Sequence, residues 1–369
     1  MKHTEVPTIV HPKVLLVGIQ SPYNTTKNIQ SYYDEFLNLA KSNNIQNFEM
    51  LFIKLRSIDA AYFLTKGKLE DLEKICREQN IEEVVLSETL NPQQERNLSK
   101  LLNCKIFDRT QLILEIFEKG AHSAEGKLQI ELAMLQHNKS RLAGRGIEMS
   151  QQGGRIGNKG PGETAKEREM QHIENRVLTV KREIAQLEQH RKTQRKSRLE
   201  SNMPLICLIG YTNAGKSTIL NTLTNSNVLA QDKLFATLDT TTRELFIDGK
   251  KKGLISDTVG FIQQLPHKLI EAFKSTLTEL QYAHLLLNIV DISDANWESH
   301  IAVVNQVLEE IEVKKPILHV FNKADLLENR ELIETQARKY QPHVFVSAKS
   351  KESLAPLIDF LRNWYPENS

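Results

Sequence analysis

One eight-residue stretch restricts this chain more than any other: Gly210-Tyr211-Thr212-Asn213-Ala214-Gly215-Lys216-Ser217 fits the pattern G-x-x-x-x-G-K-[ST]. It follows the short apolar run Leu205-Ile206-Cys207-Leu208-Ile209 and opens a segment with Ile219, Leu220 and Leu223 on one helical face. A strand, a glycine loop and a helix in that order make a phosphate site out of a pattern match. Backbone N–H groups of such a loop converge on the α and β phosphates, and the helix N-terminus adds a favourable dipole. Lys216 is placed to reach the β and γ phosphates, and the Ser217 hydroxyl to ligate Mg²⁺. A chance glycine turn would not need the flanking strand and helix.

Four further pieces follow in a fixed order. Asp257-Thr258-Val259-Gly260 ends the run Gly253-Leu254-Ile255-Ser256, where a carboxylate holds Mg²⁺ through water and the Gly260 N–H meets a γ phosphate. Asn322-Lys323-Ala324-Asp325 follows the buried-looking strand at 317–321. An aspartate there accepts two hydrogen bonds from N1–H and the exocyclic amine of guanine; adenine would leave it unpaired, and unpaired polar groups discriminate strongly. Ser347-Ala348-Lys349 ends the strand at 343–346 and offers a backbone N–H to the guanine O6. Phe235-Ala236-Thr237-Leu238-Asp239 lies between Lys216 and Asp257, where a nucleotide-sensing loop belongs. Each piece alone is common. Five in order define a GTP- and GDP-binding domain over 202–369, of the Ras-like P-loop type, with Lys216, Thr237 and Gly260 as the groups nearest the chemistry.

The residue after Gly260 is Phe261, where Ras-like GTPases carry a glutamine that orients the attacking water. A phenylalanine neither donates nor accepts. Gln263 and Gln264 are close by, although ordinary loop polarity accounts for them too. The expectation is slow intrinsic hydrolysis that accelerates when a partner orders the loop.

The run Asp257-Thr258-Val259-Gly260-Phe261-Ile262-Gln263-Gln264-Leu265-Pro266-His267 resembles the HflX GTPases, a translation-associated group related to Obg. So does residues 235–239 followed by Thr241 and Arg243, and so does the stretch Gly153-Gly154-Arg155-Ile156-Gly157-Asn158-Lys159-Gly160-Pro161-Gly162-Glu163-Thr164, far outside the GTPase domain. The resemblance spans nearly the whole length. It implies that Thr237 ligates Mg²⁺ in the GTP state, beside Ser217. It also implies binding to the large (50S) ribosomal subunit, with a helical arm near the peptidyl-transferase region, and a task in separating stalled ribosomes under stress or in subunit assembly. Thr240 stands where the family has proline, which loosens the switch backbone.

Composition narrows the setting. With 369 residues, 40% apolar and 25% charged, the chain suits two or three soluble domains. It has no run of about 18 apolar residues and no secretory core after Met1, so no membrane span is expected. Cys76, Cys104 and Cys207 form neither a disulfide framework nor a zinc pattern, which points to a reducing cytoplasm. Nothing requires a dimer, and a monomer is expected.

Residues 1–107 read as an N-terminal parallel α/β domain: apolar strands at 14–17, 48–53, 84–86 and 105–107 alternate with helical stretches at 29–40, 68–78 and 92–102. Gly18 and Gly67 build no nucleotide fingerprint, so the residues suggest docking; the resemblance adds an association of some members with ATP through this region.

Residues 108–201 hold 18 basic against 13 acidic groups, with Arg191, Lys192, Arg195, Lys196 and Arg198 clustered. Such a cluster suits a phosphate backbone, or a solvated helix face. Leu128, Leu132, Leu135 and Leu142 suggest one helix, and Ile173, Val177, Val180, Ile184 and Leu187 another, which close into an antiparallel helical hairpin. Between them, at 144–162, lie seven of the sixteen glycines, interleaved with Arg145, Gln151, Arg155 and Lys159. Such a loop cannot pack a core. A glycine-rich basic tip on a helical arm suits insertion into a narrow site lined by ribosomal RNA, and a linker would have the same composition.

Two functions of different class stand at this point: a GTP-hydrolysing ribosome factor, and a regulatory GTPase whose arm binds a protein partner without RNA. A nucleotide sensor with little turnover is a third, suggested by Phe261.

Overall fold

The computed structural model describes residues 12–24, 26, 28–143, 161–200, 203–224, 234–235, 240–264, 266, 269, 277–328 and 330–366. The glycine-rich loop at 144–160, Thr237 with its neighbours 236, 238 and 239, and the side chains of the basic cluster at 191–198 lie outside the described residues. The chain divides into two compact units, residues 1–116 with 136–174 and residues 117–135 with 175–369.

The first unit is built on four parallel strands, β1 (Val14–Gln20), β2 (Phe48–Lys54), β3 (Glu83–Leu86) and β4 (Lys105–Phe107), in the order β2-β1-β3-β4. β1 is buried from Val14 to Ile19, as a central parallel strand covered on both faces must be. The intervening helices are α1 (Ile29–Ser42), α2 (Lys66–Glu78) and α3 (Pro92–Leu102). Local chemistry sets their starts. Asn28 accepts from the Gln30 and Ser31 N–H groups, and Asn91 with Gln94 forms a capping box ahead of Pro92 in the first turn. All four expected strands and three expected helices are present within one or two residues, except that β1 runs three residues past its expected end at 17.

Helix α4 (Arg109–Gly120) leads into a pair of long helices, α5 (Ala124–Ala143) and α6 (Pro161–Glu200). Ion pairs join the two: Lys139 to Glu174 at 2.9 Å in the first unit, and Arg176 to Glu131 at 2.6 Å in the second. Arg141 anchors the end of α5 to Glu95 at 2.8 Å and to Asp108 at 3.2 Å. The stripe on α6 falls as read, with Ile173 and Val180 buried and Val177, Ile184 and Leu187 half-buried. That on α5 is rotated. Glu125, Gly126, Gln129, Ile130, Ala133, His137 and Leu142 are its buried positions, while Leu128, Leu132 and Leu135 are half-buried. Leucine spacing identifies a helix and its approximate face; what packs against that face decides the buried edge.

In the second unit a six-stranded sheet runs β10-β9-β8-β5-β7-β6. Its strands are β5 (Leu205–Gly210), β6 (Thr241–Ile247), β7 (Lys250–Asp257), β8 (Leu285–Asp291), β9 (Ile317–Asn322) and β10 (His343–Phe345). All pairings are parallel except β6 with β7, a hairpin whose turn residues Asp248 (φ 52°) and Gly249 (φ 75°) take the left-handed conformations of a tight two-residue turn. Among the described residues, helices α7 (Lys216–Thr224), α8 (Trp297–Glu310), α9 (Arg330–Ala337) and α10 (Ala355–Asn363) accompany it. Ile206 and Leu208 of β5, Ile219, Leu220 and Leu223 of α7 and Leu357 and Leu361 of α10 belong to one buried cluster. The strand order reverses at β5, which pairs with β7 on one side and β8 on the other, so the carboxyl end of β5 is a topological switch point. Among the described residues no helix is long and apolar enough to cross a membrane.

Candidate nucleotide site

The loop from Gly210 to Gly215 leaves β5 at this switch point and enters α7 at Lys216, so strand, loop and helix stand in the expected order. Glycine is required at both ends. Gly210 has φ +143°, and a Cβ there would lie 2.2 Å from the Ile289 carbonyl oxygen; Gly215 has φ +96°, and its Cβ would meet Asn322 Nδ2 at 2.3 Å. Lys216 is buried, its Nζ donating to the carbonyls of Tyr211 at 2.8 Å and Gly210 at 3.2 Å. Burial pulls its ammonium down to about 8, against the opposing pull of the Asp257 carboxylate. An anion at this loop would restore the charge.

Asp257, fully buried at the end of β7, accepts from the Ser217 hydroxyl at 2.5 Å. Thr258 donates its hydroxyl to the Leu208 carbonyl at 2.6 Å and so serves as a strut between β7 and β5. Val259 is buried. Gly260 has no room for a side chain: a Cβ would stand 2.7 Å from Thr212 Cγ2 and 2.8 Å from Lys216 Nζ. Phe261 is 1% exposed, its N–H donating to the Gly210 carbonyl at 3.2 Å and its carbonyl accepting from Thr212 N–H at 2.8 Å. Its ring is buried and brings no polar atom to the site.

Asn322, at the end of β9, donates through Nδ2 to the Ala214 carbonyl at 2.8 Å and accepts at Oδ1 from the Ala348 N–H at 2.9 Å. One amide thus ties the phosphate loop to the Ser347-Ala348-Lys349 loop. A cavity of about 260 Å³ opens here, lined by Asn213, Gly215, Lys323, Asp325, Ser347 and Lys349 among others. Lys349 lies 2.6 Å from Asp325; with Ser347 it holds the Asp325 carboxyl below its ordinary range. Ala324 is fixed by its N–H on the Val346 carbonyl at 3.1 Å. The structure therefore brings Asn213, Gly215, Asn322, Lys323, Asp325, Ser347, Ala348 and Lys349 around one cavity, and Lys216, Ser217, Asp257 and Gly260 together beside the same loop.

Phe235 is placed elsewhere. It has φ +58° and is 5% exposed, its ring meeting Phe117 of α4 edge-on at 4.5 Å between centroids. A bulky side chain in the left-handed region is uncommon and is held there by its surroundings. Ala236, Thr237, Leu238 and Asp239 lie outside the described residues.

Three groups escape sequence reasoning. Asp291, at the end of β8, sits 2.6 Å from Lys323 Nζ, and Lys323 itself has φ 61°. His300 of α8 stacks on Tyr211 of the phosphate loop. The Tyr211 hydroxyl accepts from the Gln263 N–H at 2.8 Å. An aspartate ending the apolar run 285–290 was a visible signal for the first; the other two follow only from topology.

Ser217 Oγ and Asp257 Oδ2 are hard oxygen donors held within one hydrogen bond of each other beside the loop, a donor set that fits Mg²⁺. Among the described residues no cluster of three or more His, Cys, Asp or Glu side chains offers a metal site of its own.

Comparison with known proteins accords with this geometry. Residues 30–118 match a family described as GTP-binding GTPase N-terminal, residues 120–198 a GTP-binding GTPase middle region, and residues 205–323 a 50S ribosome-binding GTPase. The GTPase HflX of Caldanaerobacter subterraneus is 40% identical over 347 residues, covering 94% of this chain and 78% of that protein. The GTPase HflX of Escherichia coli is 38% identical, covering 89% and 77%. In fold, the chain is similar to SsGBP, solved as a GDP complex, with a TM-score of 0.51, 22% identity and coverage of 95% and 98%.

Proposed function

The chain belongs to the HflX family of GTPases, and from that premise we propose that it is a nucleotide-switched factor of the large ribosomal subunit, which separates stalled ribosomes under stress or assists subunit assembly. It binds guanine nucleotide and hydrolyses GTP to GDP and phosphate. The ribosomal reading is carried by one observation: residues 205–323 match a family described as 50S ribosome-binding GTPases. The paired helices α5 and α6, joined by the basic glycine-rich segment at 144–162, support it as an arm able to reach ribosomal RNA. A helix of about 30 residues spans roughly 45 Å. In this reading residues 1–107 dock, 108–201 reach, and 202–369 bind and hydrolyse GTP as a monomeric cytoplasmic protein.

The contacts at the site support these assignments. Loop N–H groups of residues 210–217 and Lys216 hold the phosphates; Asn322 holds the loop; Asp325 and a backbone N–H of the Ser347–Lys349 loop select guanine. Ser217, with Thr237 in the GTP state and Asp257 behind them, would hold Mg²⁺. When bound, that ion neutralises charge on the β and γ phosphates. Gly260 offers its N–H where the γ phosphate ends. Phe261 contributes no water-orienting group, so turnover waits on a partner that completes the hydrolytic site.

The switch works only if the two nucleotide forms differ in affinity for the ribosome. Sedimentation with 50S subunits tests this, under GDP and under a non-hydrolysable GTP analogue. The analogue form is expected to travel with the subunit and the GDP form to stay behind. Equal co-sedimentation would remove the switch, and none in either state would favour a protein partner for the arm.

A further inference from the structure

Tyr211 is the first variable residue of the phosphate loop, and its ring lies flat on His300 of α8, with centroids 3.8 Å apart and planes inclined by 11°. Both side chains are buried, with 7% exposure each. Beyond the stack the Tyr211 hydroxyl accepts the Gln263 N–H at 2.8 Å. Two backbone bonds join the same segments nearby: Phe261 N–H to the Gly210 carbonyl, and Thr212 N–H to the Phe261 carbonyl. The loop that carries Gly260 is therefore laced to the phosphate loop at three points. Two of these are set by backbone alone. The third depends on where one tyrosine hydroxyl stands.

A tyrosine side chain has two rotatable bonds; a turn about the first sweeps the hydroxyl several ångströms, and a turn about the second spins the ring around the axis that carries the oxygen. The imidazole of His300 removes that freedom by covering one face of the ring at van der Waals distance. Burial lowers the imidazole below its ordinary range, so the stacking partner is the neutral ring. Gly260, next in sequence to the anchored Phe261, stands so close to Lys216 that an added Cβ would lie 2.8 Å from its Nζ. A shift of the Gln263 end is thus felt where the terminal phosphate meets the loop. Misplacement by about 1 Å is enough to cost up to 10²-fold in rate.

We propose that His300 is a positioning residue for GTP hydrolysis: by stacking on Tyr211 it fixes the hydroxyl that anchors the Gln263 amide, and so holds residues 260–263 against the phosphate loop. The proposal rests on reading residues 210–217 as the phosphate site. His300 transfers no proton and touches no substrate atom.

The test uses the full chain with His300→Ala, His300→Phe, Tyr211→Phe and the double variant His300→Ala with Tyr211→Phe. The readouts are steady-state GTP hydrolysis, affinity for a fluorescent GDP analogue, and hydrogen exchange at the Gln263 amide. His300→Ala should lower kcat by about tenfold with KM and GDP-analogue affinity within about twofold, the pattern of a lost transition-state interaction. Exchange at Gln263 should quicken in that variant. His300→Phe restores the stack and should recover kcat. Tyr211→Phe keeps the stack but removes the acceptor, and should match His300→Ala; the double variant should be no worse than either. The proposal is overturned if kcat survives in Tyr211→Phe, if His300→Phe is as poor as His300→Ala, or if the two losses multiply. Should His300→Ala fail to fold, the Tyr211→Phe and His300→Phe results decide alone. The underlying site reading fails separately, if Lys216→Ala binds the GDP analogue as tightly as the parent chain.

Discussion

At the carboxyl ends of β1 and β3 the first unit gathers Ser21, Ser87 and Glu88 with Tyr32, Glu35 and Arg109; at the carboxyl ends of β5, β7 and β9 the second gathers Lys216, Asp257 and Asn322. In both units the groups sit at the ends of parallel strands and are buried. In the first unit they answer one another. Arg109, 1% exposed, pairs with Glu35 and lies over the Tyr32 ring; the Tyr32 hydroxyl donates to the Ser87 carbonyl at 2.6 Å, and Ser21 donates to Glu88. Burial raises the carboxyl of Glu88 above its ordinary range. In the second unit a glycine loop with positive φ separates the groups and a cavity of about 260 Å³ opens beside them. The same architecture thus closes a polar network in one place and opens one in the other. The glycines make the difference, because only backbone free of Cβ approaches Ile289 and Asn322 this closely.

That contrast can be broken at four points. The largest effect is expected at Arg109. Arg109→Met leaves Glu35 buried without its partner and should cost about 3–5 kcal/mol in urea unfolding, with Glu35→Met recovering most of it. A loss below about 1 kcal/mol would mean that the pair is not structural. Next is Asp325→Asn, which should weaken GTP by about 1.5–3 kcal/mol and admit xanthosine triphosphate, as measured by competition binding. Undiminished GTP affinity would remove Asp325 from base selection.

A pH effect follows from Lys216. Its ammonium titrates near 8 in the free loop, and a bound polyphosphate raises that value. Binding therefore takes up a proton above pH 8, and affinity falls as pH rises through that value, by about tenfold between pH 7 and 9. Calorimetry of GDP binding in buffers of different ionisation enthalpy measures the uptake; none at pH 8.5 would contradict the burial argument. The smallest change is expected at Lys349, 73% exposed in its pair with Asp325. Lys349→Ala should alter nucleotide affinity by less than about fivefold, as surface ion pairs contribute 1 kcal/mol or less.

Much of this was readable before any coordinates. The strands around β1 and β5, the capping residues Asn28 and Asn91 and the loop at 210–217 are contiguous, so side-chain period, cap chemistry and glycine spacing declare them. The stripe on α5 was legible as a helix but not in its buried edge, because the polar Gln129 and His137 lie among its buried positions. Phe235 read as part of the nucleotide-sensing segment, and its ring is docked on Phe117. Nothing in residues 234–240 signals a partner more than a hundred positions earlier.

The sequence alone declared the groups expected at a nucleotide site: the glycine loop, Lys216, Ser217, Asp257, Asn322 and Asp325 announce themselves through local pattern, since each belongs to a short backbone segment whose conformation its own residues dictate. Tertiary structure decided how those segments are held. That Asn322 bolts the loop to Ala348, that Asp291 pins Lys323, and that His300 steadies Tyr211 all depend on the strand order β9-β8-β5-β7, which places chain-distant residues side by side. Local sequence fixes dihedral angles and donors; only the closed sheet sets the distances between them.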